Sequence, residues 1–389
     1  MSEWKEYKLG ELTTDGKGTY GIAAPSVEYD VNKFTYLRIT DIRDDGTIDK
    51  YGLKSVADTN ADKYLLSPND IVFARTGNST GRTYFYDGSD GVLVYAGFLI
   101  KFSLDVKKVN PKLLKYYTHS QAYYDWIQSV DNGATRGNIN AQIYAQMPIE
   151  LPPRKQQDDL VDIFSSLDDK IDLLNRQNQT LESMAESLFR HYFIDNAQPD
   201  WKDGKLDKEF DFLMGQSPSG ESFNEENIGI PMYQGNTDFG FRFPNNRVFT
   251  TEPKRFAEKF DTLISVRAPV GAQNMADEKC CIGRGVAAFR YKEEKSFYSY
   301  TYYKMMSLME EIKQFNESGT VFGSISKSDI ENLSIIIPDA ESIICFQRNV
   351  KPIDDKIYNN QTQINTLSNL RNTLLPKLMN GEVYMEITE

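Results

Sequence analysis

Between positions 160 and 192 the apolar residues step alternately by four and three: Leu160, Phe164, Leu167, Ile171, Leu174, Leu181, Leu188 and Tyr192, with Asn178 and Ala185 at the intervening seam positions. A second run repeats the pattern as Phe346, Val350, Ile353, Ile357, Ile364, Leu367, Leu374 and Leu378, with Asn360 and Arg371 in its seam. A mean step of ~3.5 residues keeps one apolar stripe turned toward a partner, which predicts coiled-coil helices. Pro352 aligns with Ser166 and belongs in a first helical turn, so a short helix is expected to end there and a long one to begin. The long helix of the first run, Leu167 to Tyr192, would extend about 39 Å at ~1.5 Å per residue. Elsewhere apolar positions alternate in short runs broken by Gly, Pro, Asn and Asp, which predict strands and turns. Some helix is expected around Leu113 to Ile127 and Tyr298 to Phe315.

Both heptad runs belong to a larger repeat. An ungapped register of 186 residues relates the segment from Gly133 to that from Gly319, and thirteen of 61 positions are identical, Gly137/Gly323, Asp168/Asp354 and Leu188/Leu374 among them. A duplicated unit that folds back on itself acquires a pseudo-two-fold axis, which lays the two helices side by side and antiparallel. Asn178 and Asn360 then read as register pins in the seam. The flanking segments share landmarks without one register: Trp4 and Leu9 recur as Trp201 and Leu206, and Asp70, Arg75 and Gly81 as Asp261, Arg267 and Gly271, at offsets of 191, 192 and 190. The expected architecture is α+β, with two mixed α/β globular domains, 1–152 and 195–338, separated by two long helical segments, 153–194 and 339–389, that form an antiparallel coiled coil.

Composition narrows the class. Hydrophobic residues make up 40% of the chain and aromatics 12%, which excludes a disordered protein and suffices for more than one core in 389 residues. No run approaches the ~20 apolar residues of a membrane span, and the opening Met-Ser-Glu-Trp-Lys lacks a signal-peptide stretch, so a cytoplasmic location is expected. Cys280, Cys281 and Cys345 have neither a disulfide framework nor zinc-site spacing. With 44 basic against 56 acidic residues the net charge is −12, which opposes nonspecific binding to phosphate. Any contact with DNA must come from a local basic surface or with a partner's help.

The duplicated frame carries Trp4-Lys-Glu-Tyr-Lys-Leu-Gly-Glu-Leu12, Gly215-Gln-Ser-Pro-Ser219, Ile264-Ser-Val-Arg-Ala-Pro-Val-Gly271 and Leu374-Leu-Pro-Lys-Leu-Met-Asn-Gly-Glu-Val383. In this order they resemble the specificity subunits of bacterial and archaeal type I restriction-modification systems over essentially the full length. The resemblance implies that each globular domain is a target-recognition domain for one half of a bipartite double-stranded DNA site. It also implies that the paired helices set the gap and dock two methyltransferase subunits, with restriction subunits completing the nuclease. A ruler of about 39 Å would suit half-sites near one DNA turn apart, ~34 to 36 Å between centres. Pro376 stands where the first copy has Arg190, so the second helix is expected to kink or stop about a turn early.

Base edges are read by Arg, Lys, Asn and Gln, and phosphates are held by Arg, Lys, Ser, Thr and backbone N–H groups. In the first domain these residue types cluster at Arg75, Thr76, Asn78 and Arg82, with Arg38, Thr40 and Arg43 on a nearby segment and Arg136, Asn138 and Asn140 where the domain meets the helix. The second domain offers Gln234, Asn236, Arg242, Arg247, Arg267, Gln273, Asn274 and Arg284, with Ser324, Ser326 and Lys327 at its junction. Any one of these also fits a solvated turn or a structural hydrogen bond. Arg75 and Arg267 read as one shared position, which suggests a strand anchor or a phosphate contact common to both domains.

Catalytic readings find little support. The only Pro-Pro, Leu151-Pro-Pro-Arg154, opens a helix, and neither a cofactor-binding glycine motif nor a phosphate-gripping G-x-x-x-x-G-K-S/T loop is present. Asp168-Asp-Lys170 and Asp354-Asp-Lys356 match the Asp-x-Lys of metal nucleases, but their place in both heptad helices reads as a surface helix face. Asp203-Gly-Lys205 follows Pro199-Asp200 too closely for a two-strand site. His119 and His191 are the only histidines, which leaves little for acid-base or zinc chemistry. No cofactor or metal is expected on this chain, and S-adenosylmethionine, ATP and Mg2+ would belong to partner subunits. A stand-alone repressor, a nuclease and a pure scaffold are the alternatives. The first should bind duplex tightly alone, the second should cut with Mg2+ alone, and the third should show no preference between duplexes.

Overall fold

The computed structural model describes residues 4–131, 138–316 and 323–379. Contacts divide the chain into two compact units, and the division cuts through the helices rather than at their ends. One unit comprises Met1–Leu173 with Gln363–Glu389, the other Leu174–Thr362. Each therefore holds one globular domain, the front part of one long helix and the back part of the other.

In the first unit the strand Asp70–Ala74 is central. It pairs antiparallel with Leu99–Ser103 on one side, Asp70 opposite Ser103 and Ala74 opposite Leu99, and with Thr83–Tyr86 on the other. Thr19–Tyr20 extends the sheet beyond Leu99–Ser103. Strand alternation explains the continuous apolar run. Ile71 and Phe73 face a core shared with Leu113, Tyr123 and Tyr144, whereas Val72 and Ala74 face a second core with Leu37, Tyr84 and Tyr95. A second sheet of Ser26–Val27, Lys54–Val56, Phe34–Leu37 and Leu93–Tyr95 lies in the same unit. The helix expected around Leu113 to Ile127 is two helices, Pro111–Tyr117 and Gln121–Asp131. The first starts where it does because the Asn110 side chain accepts the Lys112 N–H and Pro111 supplies a preset φ in the opening turn.

The second unit repeats this plan. Thr262–Ser265 lies between Val286–Tyr291 and Gln273–Met275, with Phe210–Met214 outside, and a five-stranded sheet accompanies it. The helical stretch from Tyr298 breaks into Tyr298–Ser307, Met309–Lys313 and a closing turn over Gln314–Asn316. In both units a two-stranded ribbon ties the domain's start to the residues before a long helix. Lys5–Lys8 pairs with Pro148–Leu151, and Lys202–Lys205 with Ser334–Ile337. The backbone N–H groups of Leu9 and Leu206 continue the ribbons to Met147 O and Leu333 O at 2.9 and 3.0 Å.

The long helices exceed their sequence expectation. The first runs unbroken over Arg154–Arg190, about 55 Å at ~1.5 Å per residue, and the second over Ala340–Met379. No helix boundary falls at Ser166 or Pro352. Proline's fixed φ is helical and only one N–H is lost, so Pro352 is carried inside a continuous helix. The expected stop at Pro376 is likewise overturned, since the helix continues to Met379. Within the second unit Asn178 meets Asn360 and Phe189 meets Phe346, so positions rise along one helix as they fall along the other and the pairing is antiparallel. Leu174, Asn178, Ala185, Ile357 and Asn360 are buried there, with Leu181, Leu188 and Ile353 partly buried. Within the first unit Leu160 and Phe164 share a core with Leu375 and Leu378, flanked by partly buried Leu167 and Leu374. Ile171 and Leu367 are also partly buried and Ile364 buried.

Candidate nucleic-acid interface

In the first unit the strand Asp70–Ala74 leaves its sheet into a loop that closes on itself. The Ala74 N–H donates to Arg82 O at 2.8 Å, and the Gly81 N–H to Ala74 O at 3.0 Å. Gly77 and Gly81 take φ of 72° and 87°, a left-handed conformation that favours glycine. The segment after residue 137 lies alongside, with the Ile139 N–H donating to Arg75 O at 2.9 Å and Thr76 bridging Asn138. These backbone links bring side chains together. Arg75 donates from Nε and Nη2 to Asn138 Oδ1 at 3.3 and 3.2 Å, and its guanidinium lies 4.9 Å from the centre of the Tyr20 ring. The Tyr20 hydroxyl accepts the Ala141 N–H at 3.1 Å, which fixes the far end of the ring. The Arg75 N–H donates to Phe98 O at 3.1 Å, and the Phe98 side chain is exposed beside it. Tyr20, Arg75, Thr76, Phe98 and Asn138 thus form one accessible patch, with exposed Asn78 on the following turn.

Three of the other first-domain arginines are already matched by carboxylates. Arg38 forks onto Asp41, where the Thr40 hydroxyl also points. Arg43 pairs with Asp49 at 2.9 Å, and Arg82 holds Asp44 at 2.6 Å and Ile42 O at 3.2 Å. Asn140 caps the short helix Ala141–Ala145 by accepting the Ile143 N–H at 2.9 Å. Arg136 lies outside the described residues.

The second unit has the same backbone under different side chains. The Ile325 N–H donates to Val266 O at 3.1 Å, the Val266 N–H to Gly285 O at 2.8 Å, and Arg267 bridges Ser324. The counterpart of Arg75 is therefore Val266, and that of Arg267 is Thr76, which corrects the shared position expected for the two arginines. Arg75 lies five positions after Asp70 but Arg267 six after Asp261, and one step along extended backbone turns a side chain to the other face. Arg267 and Arg284 are exposed and make no ion pair among the described residues. Ser217 accepts the Arg284 N–H at 3.2 Å and reaches Gln234 at 3.5 Å, which places the Gly215-Gln-Ser-Pro-Ser219 stretch beside both. Gly215 itself is forced, since a Cβ there would sit 2.1 Å from Gly283 O, as one on its counterpart Gly21 would sit 2.2 Å from Tyr95 O. Asn236 opens the turn Asn236–Asp238, whose Asp238 holds half-exposed Arg247 at 2.8 Å. Ser326 caps the helix Lys327–Asn332, in which Lys327 pairs with Glu331 at 3.3 Å.

Three expected DNA contacts are instead core groups. Arg242 is 1% exposed, bound to Asp354 at 3.0 Å, Glu182 at 3.1 Å and the Tyr303 hydroxyl at 2.7 Å, with its guanidinium 3.9 Å from the Tyr302 ring centre. Asn274 is fully buried and donates to Gly240 O at 2.9 Å, while half-buried Gln273 donates to Tyr302 O at 2.8 Å. The Asp-Asp-Lys pairs also need correction, because their first aspartates are not free surface groups. Asp168 binds Lys115 at 2.7 Å, Arg371 at 2.8 Å and the Tyr116 hydroxyl at 3.1 Å. Burial pushes its carboxyl up, and the two cations override this and hold it below the usual carboxylate range. Asp354, its repeat counterpart, is buried with Arg242. Burial pushes the neighbouring Glu182 carboxyl up, against the opposing pull of Arg242.

Tyr20 and Phe98 were not foreseen, since an aromatic next to a short strand carries no sequence mark that separates a surface brace from core. Among the described residues no helix is long and apolar enough to cross a membrane, and no cluster of three or more His, Cys, Asp or Glu could hold a metal.

The family model of the type I restriction modification DNA specificity domain matches twice, at residues 1–183 and 199–375. The chain belongs to this family. It is a specificity subunit, the non-catalytic DNA-recognition member of a type I restriction-modification system. The HindI specificity subunit of Haemophilus influenzae is 24% identical over 98% of this chain and 100% of its own length. A Methanocaldococcus jannaschii chain assigned as the specificity subunit of the type I restriction enzyme MjaX is 28% identical over 82% of this chain and 80% of its own. In fold, the specificity subunit resembles the crystal structure of a type I system S subunit from M. genitalium, with a TM-score of 0.59 at 17% identity, covering 100% of this chain and 97% of that one.

Proposed function

We propose that this specificity subunit recognises a bipartite duplex, one half-site per globular domain, with the gap set by the paired helices. On this reading it docks two methyltransferase subunits, restriction subunits join to complete the nuclease, and the whole acts in the cytoplasm. The chain contributes no catalytic group, so S-adenosylmethionine, ATP and Mg2+ are handled by the partners. One observation carries the reading. The two units present the same hydrogen-bonded backbone at the patch, and the side chains mounted on it differ: where one has Tyr20, Arg75, Thr76, Phe98 and Asn138, the other has Met214, Val266, Arg267, Gly285 and Ser324, with exposed Arg284 alongside. A shared scaffold with unlike donors and acceptors suits two readers of two different sequences.

The test is to purify the chain with its methyltransferase subunits and map methylated adenines across a genome. Two half-sites at a fixed gap are expected. A heptad inserted after Asn178 and another after Asn359 should lengthen the gap by about three base pairs, since seven helical residues add ~10 Å and stacked base pairs repeat every ~3.4 Å. Altered bases at a constant gap would overturn the ruler.

A further inference from the structure

Arg75 differs from the other described arginines of the first domain in how it is held. Arg38, Arg43 and Arg82 each face a carboxylate, whereas Arg75 is braced by neutral groups, the Asn138 amide oxygen and the Tyr20 ring. Both braces are themselves fixed, Tyr20 through the Ala141 N–H and Asn138 through its bridge to Thr76. Nε and one hydrogen of Nη2 are occupied by Asn138, so the outer edge formed by Nη1 and Nη2 keeps two parallel N–H groups and the full positive charge.

That edge has two chemical matches, a phosphate and the O6/N7 pair of guanine. Adenine is excluded because its N6 amino group is a donor that would oppose a second N–H. Three observations favour guanine. A phosphate clamp needs charge but no rigid plane, and here the plane is fixed by a ring and an amide. The neighbouring surface is aromatic, with Phe98 59% and Tyr20 41% exposed, and apolar rings gain contact from a base edge or thymine methyl but nothing from a phosphate. A backbone clamp shared by two domains would also recur. In the second domain the positions of Tyr20, Arg75, Phe98 and Asn138 hold Met214, Val266, Gly285 and Ser324, as the equivalent backbone bonds locate them.

We infer that Arg75, positioned by Tyr20 and Asn138, reads a single guanine in the half-site of the first domain. The inference rests on the reading of each domain as a half-site reader, and the experiment separates the two. The full chain, assembled with its methyltransferase subunits, is assayed for adenine methylation on duplexes varied at every position of both half-sites, at several salt concentrations. Arg75→Lys keeps the charge and removes the planar fork. It should lower discrimination at one guanine by about 10- to 100-fold, leaving the other half-site and the salt dependence unchanged. Tyr20→Leu should relax the same position by a smaller factor and no other, which a merely structural role for Tyr20 would not do. An equal loss on all sequences, or no change at any position, with Arg75→Lys would make Arg75 a phosphate contact or a bystander and overturn the inference. A wild-type assembly that methylates without sequence preference would instead remove the underlying function. The untouched second half-site reports in each variant that the assembly is folded.

Discussion

Asp168 and Asp354 occupy the same place in the repeat, one turn beyond a buried apolar residue, and both hold a globular domain against its helix. The cation is supplied differently, from Lys115 and Arg371 in the first unit and from Arg242 in the second. What the fold requires there is neutralisation, because a carboxylate between helix and domain without a partner would be expensive to bury. Asp168 has a carboxyl pKa held below its unfolded value, so its stabilisation is complete above the ordinary aspartate value of 3.8 and fades as pH falls through the lower folded value. Asp168→Asn is expected to lower the unfolding free energy by roughly 1–3 kcal/mol near neutral pH. Urea titrations of both proteins should converge at acid pH, and a difference that persists there would show that the carboxylate's charge is not what stabilises. At this scale sequence is least informative. Arg242, Gln273 and Asn274 are of the residue types that read bases, and nothing in their local sequence tells a buried hydrogen-bonded cation from an accessible one, since the tyrosines and carboxylates around Arg242 come from positions 182, 302, 303 and 354.

Among the elements, the helices were the most legible. The seam follows from a period that needs only local residues, and Asn178 and Asn360 stood out as polar interruptions of an apolar stripe. They meet at 2.9 Å, Asn360 Nδ2 donating to Asn178 Oδ1, in a buried layer. Replacing both with leucine should raise the denaturation midpoint of the chain and loosen the register, visible as heterogeneous amide-exchange protection along the helices. Asn178→Leu alone should lower the midpoint, because it leaves the buried Asn360 amide with only its 3.4 Å bond to Gln177 Oε1, and a single variant as stable as the double would show that the pair does not set the register. Helix ends were misjudged for a physical reason. Proline is compatible with helical φ and forfeits one hydrogen bond, which a helix buried along one face can bear, so Pro352 and Pro376 mark no boundary.

For the molecule as a whole, duplication was visible where spacing is kept and blurred where it drifts. The offset is 186 through Asn140 and Ser326, the two helix caps, but 187 between Leu99 and Val286, 191 between Ala74 and Ser265, and 194 between Gly21 and Gly215. Each insertion shifts strand alternation, which is why Arg75 and Arg267 looked equivalent in sequence and are not. The net charge of −12 also acts at this scale, since much of the domain cation is already engaged by aspartate. Binding of duplex by the chain alone should therefore be weaker than binding by the assembly with methyltransferase subunits, as fluorescence anisotropy at one fixed salt concentration would measure. Equal affinity would mean that Arg75, Arg267 and Arg284 suffice unaided.

The backbone at each patch is secured by main-chain bonds, by Gly21 or Gly215 at a close approach, and by an Asn or Ser helix cap, none of which depends on the side chains that face outward. Substitutions at positions 75, 98 and 138 can therefore accumulate without threatening folding, whereas position 20 also holds the Ala141 N–H. A lineage under pressure to alter its preferred target is free to drift through many combinations in one domain while its twin and the helices stay as they are.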